Sequence, residues 1–151
     1  MAVKQGRRIL INKDLCQGCK NCQLACMAEH TGNKSVLLLD LENRANQARN
    51  FIEPGNDGKP VPILCRHCDD PACVTACMSG AMTKNPYTGE VSCDINKCAG
   101  CWMCVMSCPF GIIQPDRVNG TRAVKCDFCA GRHIPRCVEA CPTGAITMEQ
   151  R

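Results

Sequence analysis

Short apolar runs broken by turn residues dominate this chain, and their alternation is that of strands rather than long helices. Ile9, Leu10 and Ile11 lie between Arg8 and Asn12-Lys13-Asp14, which predicts a strand just before the first cysteine group. Met78-Ser-Gly80-Ala-Met82 and Gly89-Glu-Val91-Ser-Cys93-Asp94, joined through Pro86 and Gly89, predict a hairpin. Pro142-Thr-Gly144-Ala-Ile146-Thr147 reads like the first half of that hairpin, and Arg8 to Asp14 like its second half. One hairpin is therefore expected to be split between the two ends of the chain. Phe51-Ile52 and Val61-Pro-Ile63-Leu64 flank Pro54-Gly-Asn-Asp-Gly58, a strong turn signal, and predict another. Val36–Leu39 is expected to be an extended or short buried segment, and Asn43–Asn50 a polar helix turn or a loop. No apolar run approaches the ~20 residues of a membrane span.

Composition changes this picture sharply. Of 151 residues 17 are cysteine, only 3 % are aromatic, and the cysteines are counted within the 45 % hydrophobic fraction. A core with so few rings offsets little of the chain's ordering entropy, so a group bound by the sulfurs is expected to help hold the fold. An odd cysteine count and the lack of a secretory signal argue against a disulfide scaffold. Arg7-Arg8 has no apolar stretch behind it to make a twin-arginine signal. A reduced, cytoplasmic protein is the expectation. The formal charge of +4 is scattered rather than gathered into a stripe, so nucleic acid is not the expected partner.

Sixteen of the cysteines form four quartets. Cys16, Cys19, Cys22 and Cys26 are spaced C-x2-C-x2-C-x3-C, as are Cys98, Cys101, Cys104 and Cys108. Cys65, Cys68, Cys73 and Cys77 have a longer second gap, and Cys126, Cys129, Cys137 and Cys141 a longer one still. A [4Fe–4S] cubane needs one thiolate per iron, and the short loops wrap three of its corners, with Gly18 and Gly100 letting the backbone turn. If the last four-residue step opens a helix, the third and fourth sulfurs share a face one turn apart. The fourth then serves a neighbouring cluster, as in two-cluster ferredoxins. Structural zinc is the rival, but it pairs C-x2-C knuckles over longer distances than these quartets allow.

The split hairpin favours a nested order. Cys16, Cys19 and Cys22 pair with Cys141, and Cys126, Cys129 and Cys137 with Cys26. Cys65, Cys68 and Cys73 pair with Cys108, and Cys98, Cys101 and Cys104 with Cys77. Sequential pairing, first quartet with second and third with fourth, remains open. The fold class is α+β: two bacterial-ferredoxin-like dicluster modules related by duplication, with short helices and hairpins around four clusters. Residues 1–26 with 109–151 make the outer module and 60–108 the inner one. Residues 27–59 form an insertion outside that core, carrying part of a hairpin and a docking surface. Cys93 matches Ile11 in register and is assigned to the core as a small apolar thiol. His67 is expected to donate a hydrogen bond near a cluster, and His30 and His133 to lie at the surface or beside one. Trp102 is read as a shield, and Met103 and Met106 as packing residues.

The stretches from Cys65 to Val91, Cys98 to Ile113 and Cys137 to Ile146 resemble the four-cluster ferredoxin subunits of anaerobic metabolism, closest to the CooF-type proteins associated with carbon monoxide dehydrogenase. The likeness runs from Arg8 to Ile146. It implies four [4Fe–4S] clusters in the nested order and a non-catalytic subunit that relays single electrons. Carbon monoxide dehydrogenase is the implied catalytic partner, with a flavin NAD(P) oxidoreductase or a hydrogenase on the other side. Subunits of formate dehydrogenases, hydrogenases and tungsten aldehyde oxidoreductases are the alternatives, and a structural zinc module a distant one. Met27 and Met78 stand where relatives carry proline. The C-terminal membrane helix of some relatives is not matched, so a soluble complex is expected.

Overall fold

The computed structural model describes residues 6–150; the expected module limits at 1 and 151 lie outside them. Strand β1 (Arg7–Ile11) enters a single 3-10 turn, and helix α1 (Asn21–Glu29) carries the end of the first quartet. β2 (Phe51–Pro54) and β3 (Pro60–Ile63) precede the second quartet, followed by α2 (Ala72–Thr75) and β4 (Met82–Lys84). The same order then repeats. β5 (Val91–Cys93), α3 (Met103–Ser107), β6 (Gln114–Pro115), β7 (Ala123–Val124), α4 (Arg136–Glu139) and β8 (Ile146–Gln150) follow in turn.

Each strand pairs antiparallel with one other, and the pairing crosses the repeat. β4 pairs with its chain neighbour β5, with Met82 opposite Cys93. β1 pairs with β8, with Ile9 opposite Met148 and Ile11 opposite Ile146. Asn12 N–H donates to the Ala145 carbonyl at 2.8 Å, and Asp94 N–H to the Ala81 carbonyl at 2.8 Å, so both pairings close with the same bond. The helices follow suit: α1 packs on α4 and α2 on α3. Each half of the chain thus gives one strand, one helix and one quartet to each unit.

Two apolar clusters result. Ile9, Cys22, Leu64, Phe128, Cys137 and Ile146 form one; Cys65, Met82, Cys104, Ile112, Ile113 and Ala123 form the other. Ile52 packs against the first, and Phe51 and Ile63 against the second. The β2–β3 hairpin therefore spans the two clusters. The β6–β7 ladder was not expected from the sequence, although Asp116 and Asn119-Gly120 carry its turn signal.

Three expectations need correction. Val36–Leu39 is neither extended nor buried: Leu37 is 95 % and Leu38 70 % exposed. Asn33 accepts from Ser35 N–H and donates to the Leu38 carbonyl, while Asp40 accepts from Glu42 N–H, and these local bonds hold a series of turns instead of a strand. The insertion is also not wholly outside the core. Asn43–Asn50 is a loop whose Gln47 and Asn50 are buried, with Gln47 bonding Gln114 and the Pro115 carbonyl at 3.1 and 3.0 Å. Lastly, only α1 holds both its third and fourth cysteines. The other helices stop before Cys77, Cys108 and Cys141. Pro109 and Pro142 push the residue before them out of the helical region, and Gly80 turns the chain at φ 69° after Cys77.

Candidate metal centres

Positive φ shapes the cysteine loops. Gly18 and Gly100, each just before the second cysteine of its quartet, have φ of 70° and 66°. His67 and Phe128 hold the corresponding places in the other two quartets, at φ 43° and 56°. Large rings thus stand where the outlying loops have glycine, and the two rings meet, with centroids 4.1 Å apart. The second and fourth quartets therefore face each other at the middle of the molecule, while Cys19 and Cys101 are exposed.

The sulfurs gather by space and not by sequence. Cys16, Cys19, Cys22 and Cys141 line one small cavity. Cys65, Cys68, Cys73 and Cys108 line a second. Cys77, Cys98, Cys101 and Cys104 line a third, with Trp102 and Cys93 also in its wall. For the remaining four, burial pushes the Cys129 thiol up to about 11, with repulsion from Cys26 adding to it. Burial raises Cys137 as well, reinforced by Cys26 and Cys129. Cys126 is raised by removal from water, with the charges of Cys65 and Cys26 adding.

Burial lifts Cys22 to about 11, followed by the effects of Cys19, Cys141 and Cys16. Thiols held so high are poor ligands until a cation displaces their protons, and binding iron does so. Backbone donors prepare other sulfurs: Met82 N–H points at Cys77 Sγ (3.4 Å), Arg49 N–H at Cys26 Sγ (3.3 Å) and Arg136 N–H at Cys129 Sγ (3.4 Å). Cys77 and Cys141 are lowered despite their burial, through backbone donors including Met82 and Ile146 respectively. Among the described residues no three His, Cys, Asp or Glu side chains close on a point that could hold a single ion. Each of the three cavities is lined by four sulfurs, one thiolate for each iron of a cubane.

The other residues singled out fall as follows. His67 is buried; its Nδ1 accepts from Val91 N–H at 2.9 Å, so the neutral ring carries its proton on Nε2, which has no partner among the described residues. Burial drives its pKa down to about 2. His30 bonds the Cys26 carbonyl and Asp127, and Asp127 also pairs with Arg49 at 3.0 Å. Against burial, the Asp127 bond carries the His30 pKa up to about 10. His133 is exposed. Met103 and Met106 are exposed rather than packed, Met106 by 80 %. The sequence reading passed over Arg49, Asn50, Glu29, Asp127 and Lys125. Asn50 donates to the Cys22 carbonyl, and buried Glu29 meets Lys34, Arg132 and Arg136. Lone polar residues in loops carry no periodic signal by which to find them.

A model described as a 4Fe-4S dicluster domain matches residues 57–151, and another with the same description matches 15–82. The chain belongs to the 4Fe-4S dicluster family. It is 37 % identical to an iron-sulfur protein of Rhodospirillum rubrum, over 97 % of this chain and 83 % of that one. It is 35 % identical to the NADH-dependent phenylglyoxylate dehydrogenase subunit beta of Aromatoleum evansii, covering 87 % of this chain and 27 % of that one. It is 33 % identical to the nitrate-inducible formate dehydrogenase iron-sulfur subunit of Escherichia coli, covering 91 % and 52 %. Among solved structures, the BamBC active-site complex of benzoyl coenzyme A reductase superposes with a TM-score of 0.52. That match has 21 % identity and covers 96 % of this chain and 78 % of that one, a likeness of fold. The two dicluster matches and the 17 cysteines fit four [4Fe–4S] clusters. Two of these relatives are named as dehydrogenase subunits, one of them as the iron-sulfur subunit. No helix among the described residues is long and apolar enough to cross a membrane.

Proposed function

We propose that the protein relays single electrons through four [4Fe–4S] clusters held in the nested order. The observation that carries this reading is the crossed pairing, in which β1 joins β8 and three cysteine cavities each take their fourth sulfur from another quartet. Clusters supply one-electron chemistry with little rearrangement; the protein spaces them, keeps water from them and sets their potentials. The clusters run in a line. The Cys16 and Cys98 sites form its ends and the Cys126 and Cys65 sites its middle, as the His67–Phe128 contact and the exposure of Cys19 and Cys101 support.

Carbon monoxide dehydrogenase is the catalytic partner we favour, with a flavin NAD(P) oxidoreductase or a hydrogenase as the second. The alternatives are a formate dehydrogenase, hydrogenase or tungsten aldehyde oxidoreductase complex. The exposed Leu37, Leu38 and Leu41 of the insertion offer apolar area for docking, and a cytoplasmic location suits the assembly. Protein isolated without air should contain about sixteen irons and as many sulfides per chain, with reducible paramagnetic centres. Cys26→Ser and Cys129→Ser should then disturb the same resonance. If Cys26→Ser instead disturbs the resonance affected by Cys68→Ser, the pairing is sequential. Copurification of a native complex whose large subunit lacks nickel and iron would replace the favoured partner.

A further inference from the structure

The residue before the first cysteine of the second quartet is Leu64, and the one before the first cysteine of the fourth is Lys125. Both are buried, at 3 % and 5 % exposure. Leu64 lies in the apolar cluster that contains Phe128 and Cys137, on the side of the Cys126 site. Lys125 lies in the wall of the cavity lined by Cys65, Cys73 and Cys108. Each middle site is thus flanked by the residue preceding the other site's first cysteine. One receives an alkyl chain and the other an ammonium, which stands in the wall of the Cys65 cavity and reaches the Cys126 site only through the Cys126 sulfur and carbonyl beside it.

Lys125 Nζ donates to the Val91 carbonyl at 2.6 Å and the Cys126 carbonyl at 2.9 Å, which leaves one of its three hydrogens unassigned. The acidic group nearest in sequence, Asp127, is engaged by His30 and Arg49. A buried cation held only by carbonyl oxygens is costly unless an anion balances it. A four-thiolate [4Fe–4S] centre in the adjoining cavity is that anion, and each electron it receives from a neighbouring centre adds one more negative charge.

We propose that Lys125 is a positioning residue for electrons: its fixed charge makes the centre at Cys65, Cys68, Cys73 and Cys108 the more oxidising of the two middle centres. The inference rests on the four-cluster reading above. No proton moves in the step. The donor centre loses one electron and this centre gains it. The uneven middle would make electrons pause on one side of the junction between the Cys65 and Cys126 sites.

The test is a redox titration followed by electron paramagnetic resonance on the full-length, iron-loaded protein. Lys125→Met should retain the wild-type iron content and move one centre, the one disturbed by Cys68→Ser, to a more negative potential. The expected change is at least tenfold in its reduction equilibrium, which is about 59 mV for a one-electron couple. Lys125→Arg should restore most of the shift. Unchanged potentials in fully loaded Lys125→Met, an equal shift of all four centres, or failure of the arginine variant to restore would each overturn the proposal. A second measurement needs no lysine variant: in wild type, the centre disturbed by Cys68→Ser must titrate above the one disturbed by Cys129→Ser, and the reverse order would overturn it. Wild-type protein with few irons and no paramagnetic centres would instead refute the four-cluster reading itself.

Discussion

Three glycines at nearly the same φ separate backbone strain from crowding. Gly89, Gly18 and Gly100 sit at φ 74°, 70° and 66°. Alanine at any of them meets the left-handed penalty of about 1–2 kcal/mol. A Cβ on Gly89 meets nothing within 4 Å, one on Gly18 meets Pro60 side-chain carbons at 3.2 and 3.3 Å, and one on Gly100 meets the Thr121 carbonyl oxygen at 2.4 Å. The proline ring can give by a few tenths of an ångström. Thr121 is backbone in a turn tied by Gly120 N–H to the Asp116 carbonyl (2.9 Å) and Asp116 N–H to the Arg122 carbonyl (2.8 Å), so it yields less. Overpacking adds about 1–3 kcal/mol there. Gly89→Ala and Gly18→Ala should therefore each cost about 1–2 kcal/mol and Gly100→Ala about 2–5 kcal/mol. At roughly 2–4 °C per kcal/mol for a chain of this size, heating at one scan rate while following visible absorption without air should show Gly100→Ala bleaching several degrees before the others. Its first lost resonance should be the one disturbed by Cys101→Ser. Equal losses in all three variants would mean that strain alone acts and that the Gly100–Thr121 approach is not present in the folded protein.

Two further outcomes follow from single side chains. Cys93→Val keeps a small apolar group opposite Met82, so iron content and all four resonances should survive; loss of one cluster would make Cys93 a ligand. Glu29→Gln takes a buried carboxylate from Lys34, Arg132 and Arg136, but Glu139 still pairs with both arginines and all three cations reach solvent, so it should cost about 1 kcal/mol or less in a chemical denaturation series. A loss of about 3 kcal/mol or more would show that the arginine charges depend on Glu29 alone.

The sequence revealed what repeats. Quartet spacing carries the cluster chemistry because each ligand must come from the chain at a workable reach, and the strand before Cys16 and the strand after Cys141 could be recognised as two halves of one hairpin. It did not reveal Gln47, Asn50, Arg49 or Lys125, since a single polar residue in a loop looks the same whether it faces water or a buried carbonyl. Val36–Leu39 misled for the opposite reason. Four apolar residues in a row read as buried, but the Asn33 and Asp40 side chains capture nearby backbone groups and hold the run outside. The place of His67 could have been read: it aligns with Phe128 by counting from the cysteines, and both replace a glycine.

Crossed pairing also orders assembly. The inner sites use cysteines close in sequence, with Cys73 and Cys108 about 35 residues apart, whereas Cys22 and Cys141 are about 120 residues apart. Loop closure scales as about (3/2)RT ln n, so joining the outer set costs about 1 kcal/mol more, a factor of roughly five to six in the closed population. The inner strands β4 and β5 are joined by a short turn, while β1 and β8 come from opposite ends of the chain. Both effects act in the same direction. When unfolded, reduced protein is reconstituted with iron and sulfide for only two clusters, the resonances disturbed by Cys68→Ser and Cys101→Ser should appear before those disturbed by Cys19→Ser and Cys129→Ser. The order should reverse in a circular permutant that joins the present ends through a short linker and opens the β4–β5 turn, because that change exchanges which module is local. Simultaneous filling in the natural chain, or the same order in the permutant, would show that the clusters' own affinities, and not chain connectivity, decide which site closes first.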